Sequence, residues 1–189
     1  MKYNPKIHHR RSIRLQNYDY SQTGAYFVTI CVRERVCLFG DIADGVMRVN
    51  DIGGVISVCW TEISSHFPTV DLDASVIMPN HVHGIIVLTN DAKSVMDEEP
   101  PKGEETPEGE ETSPLRRPTL GQVVAYFKYQ STKRVNQQRG NPGTPLWQRN
   151  YYEHVIRDDA DLQNLREYVV YNPLKWELDQ LHPDSPSKW

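Results

Sequence analysis

The chain has 189 residues, is 38% hydrophobic and 24% charged, and carries a formal net charge of −4, which fits a soluble protein long enough for one domain with a proper core. Three cysteines, Cys31, Cys37 and Cys59, are odd in number and lack CxxC spacing, which points to ordinary thiols in a reducing cytosol rather than a zinc finger. No apolar run reaches membrane-spanning length and the basic N-terminus has no apolar stretch behind it, so no membrane segment and no signal peptide are expected.

Residues 1–24 read as an irregular basic arm with Arg10, Arg11 and Arg14, ending in turn chemistry at Ser21-Gln22-Thr23-Gly24. Ala25–Val32, rich in β-branched and aromatic residues, reads as a buried strand. A turn-rich stretch at Gly40–Gly45 leads to a short partner strand, Val46–Val49. Asn50 or Asp51 is placed to cap a helix running to about His66, with Ile52, Val55, Ile56, Cys59, Trp60 and Ile63 on one face; Pro68 ends it. Leu72–Ile77 and Val82–Leu88 are the next two strands, joined by a Met78-Pro79-Asn80 turn.

Residues 90–118 are poor in apolar side chains and rich in Glu, Pro, Gly and Thr, the composition of a disordered insertion or loop. Between Asp97 and Glu111 eight acids stand against Lys102 alone, so that stretch carries −7 and the remainder of the chain +3. A second basic region follows it, with Arg116, Arg117, Lys128, Lys133, Arg134, Arg139, Arg149 and Arg157 against Glu153. Two basic regions on a mildly acidic chain suggest a polyanion-binding face. Thr119 caps a helix that turns Leu120, Val123, Val124 and Phe127 inward, leaves Lys128, Lys133 and Arg134 available outward, and ends near Gly140. The aromatic and basic segment 146–154 shows no clear period. Asp158 or Asp159 opens the last helix and Pro173 closes it. The order β, β, α, β, β, α, α predicts an α+β fold, one domain over 1–189, with an antiparallel-rich sheet and helices packed on one face.

The densest chemical signal is Met78-Pro79-Asn80-His81-Val82-His83-Gly84. Side chains alternate along a strand, so His81 and His83 share a face and form a half-site for a divalent metal. On the last helix Tyr168 and Asn172 are spaced i, i+4 and also share a face. A nucleophilic tyrosine with an amide one turn away would complete what the histidines begin.

Together with Gly24-Ala25-Tyr26-Phe27-Val28-Thr29, Trp147 through Arg157 and Tyr168-Val169-Val170-Tyr171-Asn172-Pro173, these motifs resemble those of the HUH single-tyrosine transposase superfamily, in the branch of REP-associated tyrosine transposases and their relatives. The resemblance implies a ferredoxin-like HUH fold, Mg²⁺ or Mn²⁺ as cofactor, and cleavage and rejoining of structured single-stranded DNA through a 5′-phosphotyrosine intermediate. Tyr168 matches the catalytic tyrosine and His81 and His83 the metal-binding pair. Asn172 is the candidate third ligand, with Glu153 as the competing one, and Tyr152 is the nearest rival nucleophile among Tyr151, Tyr152 and Tyr171. The resemblance further implies hairpin or single-stranded DNA as partner, with Arg10, Arg11 and Arg14 placed to hold a hairpin, and a monomer or homodimer; Arg116, Arg117, Lys128, Lys133 and Arg134 of the second basic region are the further candidate DNA contacts, and the expected setting is the cytoplasm, nucleoid-associated when bound to DNA. The alternative is a domesticated relative that binds DNA hairpins without cutting them.

Overall fold

The computed structural model describes residues 18–90 and 117–185. Most of the predicted basic arm, residues 91–116 of the predicted insertion and residues 186–189 lie outside the described residues.

Strand β1 (Gly24–Cys31) is the predicted first strand, and its alternation sends Tyr26, Val28 and Ile30 to one face and Phe27 and Thr29 to the other. β2 (Gly40–Ala43) and β3 (Val46–Val49) form a separate two-stranded ribbon. Helix α1 (Asp51–Thr61) starts where Asn50 accepts a hydrogen bond from the Gly53 amide at 3.0 Å. The predicted single helix to His66 is interrupted at Glu62, and α2 (Ile63–His66) continues as one further turn. β4 (Val70–Met78) and β5 (His81–Leu88) form the expected hairpin. α3 (Leu120–Arg139) begins in a capping box between Thr119 and Gln122, which satisfies backbone donors on both sides of the helix start. β6 (Tyr152–Ile156) precedes α4 (Asp159–Tyr171), which Asp158 caps and a 3₁₀ segment, Pro173–Leu178, follows.

The main sheet has four antiparallel strands in the order β4-β5-β1-β6. With the ribbon set aside, β1-α1-β4-β5-α3-β6 is the split βαββαβ arrangement of ferredoxin-like folds, as the motifs imply. Helices α1, α2 and α3 form the expected layer on one face, around Tyr26, Val28, Ile30, Val82 and Ile86. Helix α4 lies on the other face, where Val169, Leu162 and Leu165 pack against Phe27 and Ile85. The sheet is therefore covered on both sides, and the second side is the one that carries His81 and His83.

Besides the break at Glu62, two strands fall where the sequence suggested none, and the first is β2, in the stretch read as turn-rich. Segment 146–154, read as aperiodic, contains the start of β6, paired to β1 with Thr29 opposite Tyr152 and Phe27 opposite His154. β6 is a short edge strand with Glu and His among its five residues, so its apolar alternation is too weak to register in the sequence.

The close packing of α1 on the sheet depends on one position. A Cβ added at Gly84 would sit 2.1 Å from Cζ2 of the buried Trp60, whose ring meets Phe127 edge-on at 5.2 Å. Gly84→Ala is expected to destabilise the protein by about 3 kcal/mol, at the upper end of overpacking costs. Urea unfolding read by tryptophan fluorescence tests this, and an unchanged midpoint would mean that Trp60 has room to move.

Candidate functional site

β5 presents His81 and His83 on the face toward α4, both buried. Their Nε2 atoms lie 3.0 Å apart. Each ring is held from behind: Nδ1 of His81 is 2.7 Å from Oδ1 of Asn80, and Nδ1 of His83 is 2.8 Å from Oγ1 of Thr29. Phe27 stacks on His83 at 5.3 Å, and Trp176 flanks His81. Burial and the neighbouring His83 hold the His81 imidazole well below its ordinary range, and burial takes His83 down to about 3. Both rings are therefore neutral at physiological pH, as ligating imidazoles must be.

Tyr168 reaches the same place from α4. Its hydroxyl is 3.4 Å from Nε2 of His83 and its ring lies edge-on to His83 and Phe27. Tyr168 is 40% exposed. Val169 is the one buried residue of α4, and polar contacts supplement it. Arg166 donates twice to the carboxylate of Asp73, at 2.9 and 2.6 Å, where β4 bulges between Leu72 and Ser75. Near the helix start, His154 pairs with Asp161 at 2.8 Å.

The third member of the cluster is Asp179, just past the 3₁₀ segment. Its carboxylate and the ring nitrogens of His81 and His83 all offer ligand atoms within 4.8 Å of one another. The Leu181 amide donates to Oδ1 of Asp179 at 2.6 Å and Arg35 donates to the Gln180 carbonyl, which tie this loop to the sheet end. Asn172, the C-cap of α4, is buried, and its Oδ1 lacks a hydrogen-bond partner among the described residues. The Tyr168 hydroxyl is shifted upward by burial and then by the Asp179 charge, against an opposing hydrogen bond from Asn172.

This donor set fits a hard divalent cation. Two ligands at about 2.1 Å from a six-coordinate ion and at right angles are about 3.0 Å apart, the separation of the two Nε2 atoms. A carboxylate beside them and an orphaned amide oxygen nearby supply the oxygen donors such ions prefer.

The predicted site residues divide into three groups. His81, His83 and Tyr168 are brought together, with Asn172 beside Tyr168. Glu153 is not with them: β6 sets it opposite Val28, on the face of α1 and α3, away from the histidines. Tyr152 shares the histidine face, opposite Thr29, and is half-exposed, whereas the hydroxyl that approaches a histidine is that of Tyr168. Among the basic residues, Lys128 donates to the backbone carbonyls of Gln148, Arg149 and Asn150, and Arg134 pairs with Glu62 at 2.7 Å, so both have structural tasks. Arg117 and Lys133 are exposed, and Arg10, Arg11, Arg14 and Arg116 lie outside the described residues. Sequence reading missed Asp179, Thr29 and the Asp73–Arg166 clamp, all of which converge through long-range folding, and it treated Asn80 only as a turn residue.

No family model matches the chain. An uncharacterized protein of Haemophilus influenzae is 42% identical over 183 residues, covering 97% of this chain and 98% of its own length. A second Haemophilus influenzae protein, described as a REP-associated tyrosine transposase, is 26% identical over 183 residues, covering 91% of this chain and 84% of its own. The solved structure of a REP-associated tyrosine transposase bound to a REP hairpin superposes with a TM-score of 0.56 at 18% identity, covering 88% of this chain and 74% of that one, and so shares its fold. No described helix is long and apolar enough to cross a membrane. The chain belongs to one family with the first of these proteins, and the resemblance to REP-associated tyrosine transposases read in its motifs holds in both sequence and fold.

Burial of two neutral imidazoles has a measurable consequence for the metal-free protein. The unfolded chain protonates each histidine below its ordinary value of 6.5, whereas the folded protein does not until far lower, near 3 for His83. The unfolded state therefore binds more protons in that window, and stability falls as pH falls from 6.5, by up to about 1.4 kcal/mol per pH unit per histidine. Urea unfolding in EDTA between pH 7.5 and 5.5 should show this loss, with a shallower slope in His83→Gln. A flat profile would mean that the rings are solvated.

Proposed function

We propose that this member of the REP-associated tyrosine transposase lineage is a metal-dependent enzyme that cuts and rejoins single-stranded DNA bearing a hairpin. The observation that carries the reading is the convergence of the His81 and His83 Nε2 atoms, the Asp179 carboxylate and the Tyr168 hydroxyl at one end of the sheet. In this reading His81, His83 and Asp179 hold Mg²⁺ or Mn²⁺, with the Asn172 amide oxygen as a further candidate donor. When bound, the cation would polarise the scissile phosphate and offset its developing charge.

Tyr168 is the nucleophile. Its phenol proton passes to solvent, which its partly exposed ring reaches, and its oxygen attacks phosphorus. The bond to the 3′ oxygen breaks, that oxygen takes up a proton as a free hydroxyl, and the DNA remains as a 5′-phosphotyrosine ester. The ester conserves the phosphodiester bond energy, so attack by a 3′-hydroxyl reverses the step without ATP. Phe27 and His83 fix the ring from two sides and the Arg166–Asp73 clamp fixes the helix beneath it, which limits the search for an aligned attack. Exposed Arg117 and Lys133, together with Arg10, Arg11, Arg14 and Arg116, are proposed to track phosphates. The setting proposed is the cytoplasm, on nucleoid DNA, as a monomer or homodimer.

Labelled hairpin oligonucleotides from DNA flanking the gene, incubated with purified protein and Mn²⁺, should yield an adduct that resists denaturation. Tyr168→Phe and EDTA should each abolish it, and Asp179→Asn should lower Mn²⁺ affinity at least about tenfold. An adduct surviving in Tyr168→Phe would transfer the nucleophile to Tyr152. Tight hairpin binding that persists in EDTA, with no adduct under any condition, would instead establish a non-cutting hairpin-binding protein.

A further inference from the structure

The two histidines are supported by side chains of different kinds, and the difference fixes where their protons sit. Nδ2 of Asn80 faces two backbone carbonyls, Arg35 at 3.0 Å and Leu181 at 2.8 Å, which engages both amide hydrogens. Its Oδ1 can only accept, and it lies 2.7 Å from Nδ1 of His81. His81 therefore carries its proton on Nδ1 and turns a lone pair outward at Nε2. Nε2 of His83 is 3.0 Å from that lone pair, a separation that requires a hydrogen between the two nitrogens in the metal-free protein. That hydrogen belongs to His83, whose Nδ1 is then an acceptor for the Thr29 hydroxyl at 2.8 Å. Unlike a carboxamide pinned by two carbonyls, the Thr29 hydroxyl rotates between donating and accepting.

We propose that Asn80 locks His81 in one tautomer, while Thr29 lets His83 move its ring proton from Nε2 to Nδ1 when a divalent cation binds. The inference deepens the metal-centre reading above and rests on it. One proton leaves Nε2 and one arrives at Nδ1 by way of solvent, so the ring stays neutral and cation binding releases no net proton from either histidine. The other neighbours of His83, the stacked Phe27 ring and the Tyr168 hydroxyl at 3.4 Å, leave Nδ1 to Thr29. Asn80 has a second task. The Leu181 residue whose carbonyl it holds donates its amide to Asp179, so one buried side chain ties the carboxylate loop to the histidine strand. Both are positioning residues, since each acts through a ligand.

Long-range ¹⁵N–¹H correlation spectra of the imidazoles test the proposal, first in metal-free protein and then with saturating Mg²⁺. The expected pattern is His81 protonated on Nδ1 throughout, and His83 protonated on Nε2 without metal and on Nδ1 with it. His81 protonated on Nε2, or His83 protonated on Nδ1 in metal-free protein, would overturn it. If Mg²⁺ and Mn²⁺ leave both rings unchanged, the metal reading and the switch fall, while the metal-free spectrum still decides what Asn80 and Thr29 impose. The isosteric Thr29→Val should weaken Mn²⁺ binding roughly 10- to 100-fold, with rescue by Thr29→Ser; equal affinity in Thr29→Val overturns the role of Thr29. Calorimetry of Tyr168→Phe, which removes the phenol proton from the count, in buffers of differing ionisation enthalpy should show no proton released per Mn²⁺ bound at pH 7.5, and about one proton released would overturn the exchange.

Discussion

Two imidazoles whose Nε2 atoms are 3.0 Å apart, in a sheet covered on both sides, can coexist only if they are not both protonated and their lone pairs and hydrogens are arranged to match; burial keeps both rings neutral. A second positive charge at that distance in a buried setting would cost several kcal/mol even at an effective dielectric near 20. Much of the local structure serves that constraint. Asn80 lies buried in the tight turn between β4 and β5, where its carboxamide reaches His81 and two outlying carbonyls at once. Thr29 occupies the one position of β1 that faces His83 across the ladder. The chain at Glu34 and Arg35 adopts left-handed backbone angles, with φ of 60° and 55°, and the Asn80 amide holds the Arg35 carbonyl there. Left-handed geometry is unfavourable for such side chains, so the fold accepts local strain beside the site.

The two faces of the sheet meet different demands. Under α1 and α3 the interior is nearly all apolar, with Trp60, Phe127, Trp147 and Phe39 linked in that order by ring contacts, and Trp147 donates its indole hydrogen to Ser131 at 2.9 Å. That face supplies cohesion. Under α4 the apolar cluster is small, and ion pairs such as Arg166–Asp73 set the helix in place. Hydrophobic contact is non-directional, whereas a bidentate guanidinium–carboxylate pair defines both distance and orientation. A helix with the proposed task of aiming one hydroxyl at one point would benefit from the second kind of contact. Lys128 shows the same use of charge in the scaffold, gathering three successive carbonyls ahead of β6.

What could be read in advance follows from how local each signal is. The caps at Asn50, Thr119 and Asp158, the alternation of β1 and β5, and the face shared by His81 and His83 are properties of a few adjacent residues, and the structure contains them. The break at Glu62 was hidden because Ile63 continues the apolar pattern across it. β6 was hidden because an edge strand lining a polar site need not alternate. Asp179 was beyond reach of any spacing argument: it comes back to the histidines only because the 3₁₀ segment that starts at Pro173 lays Trp176 against His81 and the chain beyond it brings the Leu181 carbonyl to Asn80. Glu153 misled in the opposite way. It belongs to a recognisable motif, yet a period-2 register places it on the other side of the sheet.

Asp179 also bears on how the proposed nucleophile would be controlled. Burial and the Asp179 carboxylate both push the Tyr168 phenol above its ordinary range, so in metal-free protein the hydroxyl keeps its proton. The same carboxylate is placed to bind a cation together with the histidines. A divalent ion held there would outweigh the single negative charge and would favour the phenolate where the carboxylate alone opposes it. One residue would thus suppress the nucleophile in metal-free protein and help activate it when the site is filled. A more deeply buried tyrosine would be better fixed but harder to ionise and closed to DNA. Partial exposure, with firm contacts to Phe27 and His83, satisfies both requirements.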